Sequence, residues 1–185
     1  MLLQRQNNNF HTPYPASSHI LTEAEIAGHA EQSNFALRIG VDLDPGIRRK
    51  QRPNEDTVLV THGVMPSTSS SPKPFVLLAV ADGMGGPGHG QQASQLAVQS
   101  LVEYVSGLLG SQPKTPEALL PLLTASVQYA NQVVYERNQQ QQTVMGTTMT
   151  AILVSESTAY AAHVGDSRLY LYRKPLGLVQ VTRDH

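Results

Sequence analysis

The sequence has 185 residues, with 13 Lys and Arg against 14 Asp and Glu for a formal net charge of -1. That length suits one domain with a sizeable core, and that charge excludes a generally basic nucleic-acid binder while leaving room for a local phosphate site. Cysteine is absent, which excludes a disulfide framework, a cysteine nucleophile and a thiolate metal site. Any metal must therefore take oxygen or histidine ligands. No apolar run is long enough to span a bilayer. The start, MLLQRQNNNFHTPYPASSH, lacks the apolar centre of a secretion signal. These features predict a cytoplasmic protein with no membrane or nucleic-acid partner.

In chain order, residues 1–19 read as an irregular polar arm. Thr22 and Glu25 have the spacing of a capping box and predict a short helix from 23 to about 34, although Ile26, Ala27 and Ala30 give it only a thin apolar stripe. A strand is predicted over 35–41 and a turn over DLDPG at 42–46. Four basic residues follow in close succession, Arg48, Arg49, Lys50 and Arg52, and then the acidic NED at 54–56. TVLV at 57–60 reads as a strand, and the Ser- and Pro-rich 62–74 as a flexible connection. FVLLAVA at 75–81 is a continuous apolar run between a proline and glycines, which argues for a central buried strand. DGMGGPGHG, at 82–90, carries five glycines in nine residues and reads as a shaped loop.

Two helices come next. Ala93, Leu96, Ala97, Leu101, Tyr104, Val105 and Leu108 recur at helical spacing, and so do Leu119, Leu122, Leu123, Val127, Ala130, Val133 and Val134. Strands are predicted over 149–154, 159–164, 168–173 and 178–182, with GDS at 165–167 as a hairpin turn between the second and third. Strands, two helices and a second run of strands imply antiparallel sheet with helices packed on a face.

The chemistry concentrates at strand ends. Asp82 follows an apolar run and opens the glycine loop, and burying it unpaired costs several kcal/mol. Asp56 precedes a strand and has Glu55 beside it. Two readings are open. The aspartates cap turns, or they supply oxygens to a hard ion, Mg2+ or Mn2+, beside basic residues that hold a phosphate. The glycines match neither a Walker loop nor a dinucleotide fingerprint. Gly146, Thr147 and Thr148 read as structural. Asp166 accepts bonds from turn amides, anchors Arg168 or serves a site, and His89 is the histidine best placed to act as an acid.

Read together, NEDTVLV (54–60), FVLLAVADGMGG (75–86), MGTTMTAILV (145–154), AAHVGDSRLYLYR (161–173) and VTRDH (181–185) resemble the metal-dependent serine/threonine protein phosphatases of the PP2C (PPM) family, bacterial type. The resemblance implies an α+β fold, a four-layer α-β-β-α sandwich of two antiparallel sheets, incomplete at the C-terminus here. It implies an N-terminal extension over 1–34 and the first portion of the phosphatase domain over 35–185. It implies two Mn2+ or Mg2+ ions and a water that attacks phosphoserine or phosphothreonine of a protein substrate, with a cognate Ser/Thr kinase as a further partner. By resemblance Asp56 bridges both ions, Asp82 and the Gly83 carbonyl bind one, Glu55 acts through water, and Asp166 lends support near the site. The family's phosphate-binding arginine falls at Gln51 by strict offset, so the role passes to Arg48, with Arg49 and Arg52 as substitutes. Met84 stands where some members carry a histidine acid, so the resemblance supplies no acid. The family's two later Asp ligands, in a DG and a DN motif, have no counterpart in this sequence, and activity is expected to need them. The alternative is an inactive pseudophosphatase or a phosphoprotein-binding module.

Overall fold

The computed structural model describes residues 21–27, 36–46, 53–68 and 71–185. Its centre is one long antiparallel hairpin. Strand β3 (Asp56–Met65) pairs with β4 (Lys73–Gly85) without a break from Met65↔Lys73 to Asp56↔Asp82. The connection expected over 62–74 is therefore strand at its two ends, 62–65 and 73–74. Gly63 explains this locally: a Cβ there would lie 2.9 Å from the Phe75 ring, so the missing side chain lets the cross-strand ring sit flat. The expected glycine loop is shortened too. β4 runs through Asp82 to Gly85, and those last residues pair with β5 (Met145–Thr147) in the register Gly83↔Thr147, Met84↔Gly146 and Gly85↔Met145.

The rest of β4 pairs with β6 (Met149–Ser155), which pairs with β7 (Thr158–Val164). The main sheet is thus ordered β3-β4-β6-β7, with β5 beside the end of β4. Helices α1 (His89–Ser111) and α2 (Pro116–Gln141) cover one face. Alternation along β4 sends Phe75, Leu77, Ala79 and Ala81 into that layer, where they meet Ala97, Leu101 and Val105 of α1 and Leu123, Val127 and Val134 of α2. Each large aliphatic side chain buried this way contributes about 1.5–3 kcal/mol. The expected helical periodicity therefore identifies the core-facing stripes.

On the opposite face lies a second, two-stranded antiparallel sheet, β1 (Leu21–Ala27) with β2 (Ala36–Val41). Ile39 and Val41 of β2 enclose an apolar cleft of about 350 Å³ against Val58, Leu78, Val80 and Ile152 of the main sheet. The class is as the sequence implied, α+β with antiparallel sheets and flanking helices. The helix expected from 23 is corrected: residues 21–27 are strand, paired Ile26↔Leu37 and Ala27↔Ala36. A partner strand overrides a capping box whose apolar stripe was thin.

The hairpin expected about 165–167 is corrected as well. β8 (Tyr170–Arg173) pairs with β9 (Gly177–Gln180), not with β7. After Gly165 the chain turns away from the sheet. The Val181 amide donates to the Leu169 carbonyl at 2.8 Å and the Leu169 amide to Thr182 Oγ1 at 3.0 Å, so this segment is bound to the chain's last residues instead. Among the described residues, no helix is long and apolar enough to cross a membrane.

Candidate functional site

Asp56 and Asp82 begin one strand and nearly end its partner, and the register sets them directly opposite each other. Both backbones are held. The Asp56 amide donates to Asn54 Oδ1 at 3.0 Å, an Asx turn that fixes the entry into β3. The Asp82 amide donates to Thr148 Oγ1 at 2.9 Å, and its carbonyl accepts from the Thr148 amide at 2.9 Å and from Thr147 Oγ1 at 2.9 Å. Because the Asp82 N–H and C=O point toward β5 and β6, Asp56↔Asp82 is a non-hydrogen-bonded pair. In such pairs the Cα atoms approach to about 4.5 Å and the side chains come close. Like charges directly opposite destabilise a sheet. The pair sets two carboxylates side by side at one end of the hairpin, a kind of oxygen donor whose hardness matches a small divalent cation.

Beside the pair, β4 and the start of α1 touch at two glycines. A Cβ on Gly83 would run into the Gly90 carbonyl and come within 2.7 Å of the Glu55 carbonyl oxygen. A Cβ on Gly90 would lie 2.7 Å from the Gly83 carbonyl oxygen and 2.9 Å from Glu55 Oε1. The Gly83 amide donates to the Glu55 carbonyl at 3.1 Å. Glu55 thus brings its carboxylate to the first turn of α1. That helix begins after Gly88, in the left-handed conformation at φ 77°, with no side-chain cap and no acidic residue in its first turn. A carboxylate there complements the positive end of the helix dipole, a second use for Glu55 that its place beside Asp56 did not disclose. His89 opens α1, its amide donating to the Gly86 carbonyl at 2.9 Å.

Asp166 is exposed in the turn after β7. It does not anchor Arg168, whose guanidinium instead makes a paired contact with Asp184, Nε to Oδ1 at 3.0 Å and Nη2 to Oδ2 at 2.7 Å. These bonds hold the Asp184 carboxyl below the usual carboxylate range and raise the Arg168 guanidinium further. Arg48, Arg49 and Arg52 lie outside the described residues, as does Gln51. The structure therefore brings Asp56, Asp82, Gly83 and Glu55 together and sets Asp166 in a turn whose Ser167 meets Thr148, Oγ to Oγ1 at 2.7 Å. Among the described residues, no three His, Asp or Glu side chains are grouped as a metal cage.

Sequence spacing alone assigns Thr147 and Thr148 only a structural place, yet they hold the Asp82 backbone. The signal was present as adjacent hydroxyls beside a glycine ahead of an apolar strand. Asn138 carries no such signal in the sequence. Buried near the end of α2, it donates from Nδ2 to the Met145 carbonyl at 3.1 Å and accepts from Thr143 Oγ1 at 3.0 Å, tying the helix to β5.

The chain is similar to known serine/threonine phosphatases. The serine/threonine protein phosphatase PstP of Mycobacterium tuberculosis is 38% identical over 110 residues, 58% of this chain and 20% of that protein. A solved serine/threonine phosphatase of S. agalactiae is 28% identical with a TM-score of 0.59, over 77% of this chain and 53% of that one. The solved catalytic domain of PstP in complex with 2 manganese ions is 30% identical with a TM-score of 0.51, over 70% of this chain and 56% of that one. The chain thus spans about half the length of these solved phosphatases. A match to the family described as protein phosphatase 2C covers residues 46–185. That match takes in the central hairpin, both helices and every later strand, and the chain belongs to the protein phosphatase 2C family.

Proposed function

We propose that residues 35–185 form the first portion of a phosphatase domain that hydrolyses phosphoserine and phosphothreonine in proteins, behind an extension at 1–34. The observation that carries this reading is the cross-strand pair Asp56↔Asp82, pinned through both backbones at one end of the hairpin. Support comes from the likeness to a catalytic domain solved with manganese. In this reading Asp56 serves two ion positions, Asp82 and the Gly83 carbonyl serve one, and Glu55 and Asp166 act from outside them. Bound Mn2+ or Mg2+ supplies Lewis acidity toward water and the phosphoryl oxygens.

The chain's own residues bind and orient. Arg48, with Arg49 and Arg52 as alternates, offers a planar fork of donors to the phosphate oxygens. Asp56 and Asp82 are held in fixed backbone positions, so little reorganisation accompanies the reaction. The substrate is a phosphorylated protein, a Ser/Thr kinase generates it, and the reaction takes place in the cytoplasm.

The test is Mn2+-dependent release of phosphate from a phosphothreonine peptide, measured for this chain and for the complete product of its gene. Turnover that is lost in Asp82→Ala supports the reading. Turnover that survives Asp82→Ala removes the metal assignment. Phosphopeptide binding without turnover in both proteins identifies a phosphoprotein-binding module instead.

A further inference from the structure

We propose that Thr148, held in place by Ser167, is a positioning residue that sets the Asp82 carboxylate for its cation. The inference rests on the metal reading of Asp56 and Asp82. Thr148 is buried, at 2% exposure, between β5 and β6. Its Oγ1 accepts the Asp82 amide at 2.9 Å, and its own amide returns a bond to the Asp82 carbonyl at 2.9 Å. Asp82 lies where β4 changes partner, with Val80 paired to β6 and Gly83 paired to β5. A strand that changes partners at one residue has no continuous ladder there, and the Thr148 hydroxyl supplies the missing acceptor.

The hydroxyl is itself fixed. Having accepted the Asp82 amide, Thr148 Oγ1 has its proton free for Ser167 Oγ at 2.7 Å. The Ser167 carbonyl accepts from Thr150 Oγ1 at 2.7 Å. Gly165 presses on the same side chain: a Cβ there would lie 2.7 Å from Thr148 Cγ2, and its φ of +104° favours glycine. The 165–167 turn is thus a buttress behind Thr148. It is closed in turn by the His185 amide, which donates to the Gly165 carbonyl at 3.0 Å. The 165–168 turn and the 182–185 tail, neither of which carries a proposed first ligand, act on Asp82 through this one hydroxyl.

The test uses the 185-residue chain. Thr148→Val keeps the branched shape and removes the hydroxyl, while Thr148→Ser keeps the hydroxyl. Two quantities are read: Mn2+ affinity by paramagnetic resonance titration, and hydrogen exchange of the Asp82 amide in metal-free protein. Thr148→Val is expected to weaken Mn2+ binding about tenfold and to speed exchange at Asp82 about tenfold, the size of one lost hydrogen bond. Exchange at Ala79 should stay unchanged. Thr148→Ser is expected to stay within about threefold of wild type in both, and Ser167→Ala to fall between. Faster exchange at Asp82 with unchanged Mn2+ affinity overturns the inference alone, because Thr148 is then only structural. Where this chain alone binds no Mn2+, the same variants are compared in the complete product of its gene, and absence of Mn2+ binding there overturns the metal reading and the inference with it. Should Thr148→Val fail to fold, Ser167→Ala and Thr148→Ser carry the same comparison, and equal affinity in both Ser167→Ala and wild type overturns the buttress.

Discussion

Gly83→Ala tests how closely the site end of β4 is built against α1. The added Cβ meets backbone on both sides, the Gly90 carbonyl and the Glu55 carbonyl oxygen at 2.7 Å. Neither obstacle is a flexible side chain, so β4 and the first turn of α1 must move apart. Overpacking of this kind costs about 1–3 kcal/mol, and parting the strands strains the bond from the Gly83 amide to Glu55, which contributes about 1 kcal/mol more. The expected loss is about 3 kcal/mol. With a urea dependence of about 2 kcal/mol per M, the unfolding midpoint falls by about 1.5 M. Gly107→Ala is the control. That glycine lies within α1, and a Cβ added there would meet nothing within 4 Å, so alanine should stabilise by about 0.5–1 kcal/mol through helix propensity. Urea unfolding followed by circular dichroism measures both. A Gly83→Ala midpoint within about 0.3 M of wild type, with an unchanged slope, would refute the close contact between β4 and α1.

Asp82→Asn should stabilise the metal-free chain by about 0.2–1 kcal/mol, since it removes one of two facing like charges, and on the proposed metal reading it should abolish any rise in melting temperature on adding Mn2+. Calorimetry with and without Mn2+ reads both effects, and a fall in metal-free stability would contradict the pairing. Leu77→Ala, at a fully buried position between sheet and helices, should cost about 2–5 kcal/mol in the same unfolding assay. The Arg168–Asp184 pair should weaken in acid. Hydrogen bonds from Arg168 lower the folded-state value of Asp184, so its contribution is complete above the ordinary carboxylate value and is lost as pH falls through the lowered one. Amide exchange at Leu169 and Val181 should therefore rise below about pH 4, and Arg168→Gln should flatten that dependence.

The long-range outline was legible because it follows from period. FVLLAVA is too short for a buried helix and too apolar for an edge strand, and the two helical stripes name the residues that meet it. Asp56 and Asp82 stand out in the sequence as candidate site residues because carboxylates beside an apolar strand need a reason. Their direct opposition was not, since it depends on the register, and the register on where Gly63 lets Phe75 cross. The corrected elements share one cause. The 21–27 segment and the 165–167 turn were read from local spacing, and each was decided by a distant partner, β2 in one case and residues 181–182 in the other. The roles of Thr148 and Ser167 could not be read because a hydroxyl has meaning only through what it faces, here an amide 66 positions away in the chain.

The unbroken pairing from Met65↔Lys73 to Asp56↔Asp82 makes the hairpin a ruler. Its zero mark is the turn, and its far end reads out where the two carboxylates stand. Residues added to the turn lengthen a surface loop and leave the spacing at the far end untouched. One residue deleted within either strand shifts the scale by a step, setting Asp56 against Ala81 or Gly83 and sending one of the two carboxylates to the other face. The carboxylate pair is thereby insulated from variation at the tip and intolerant of variation along the edge, so its alignment is inherited from ten consecutive pairings rather than from any contact between the aspartates themselves.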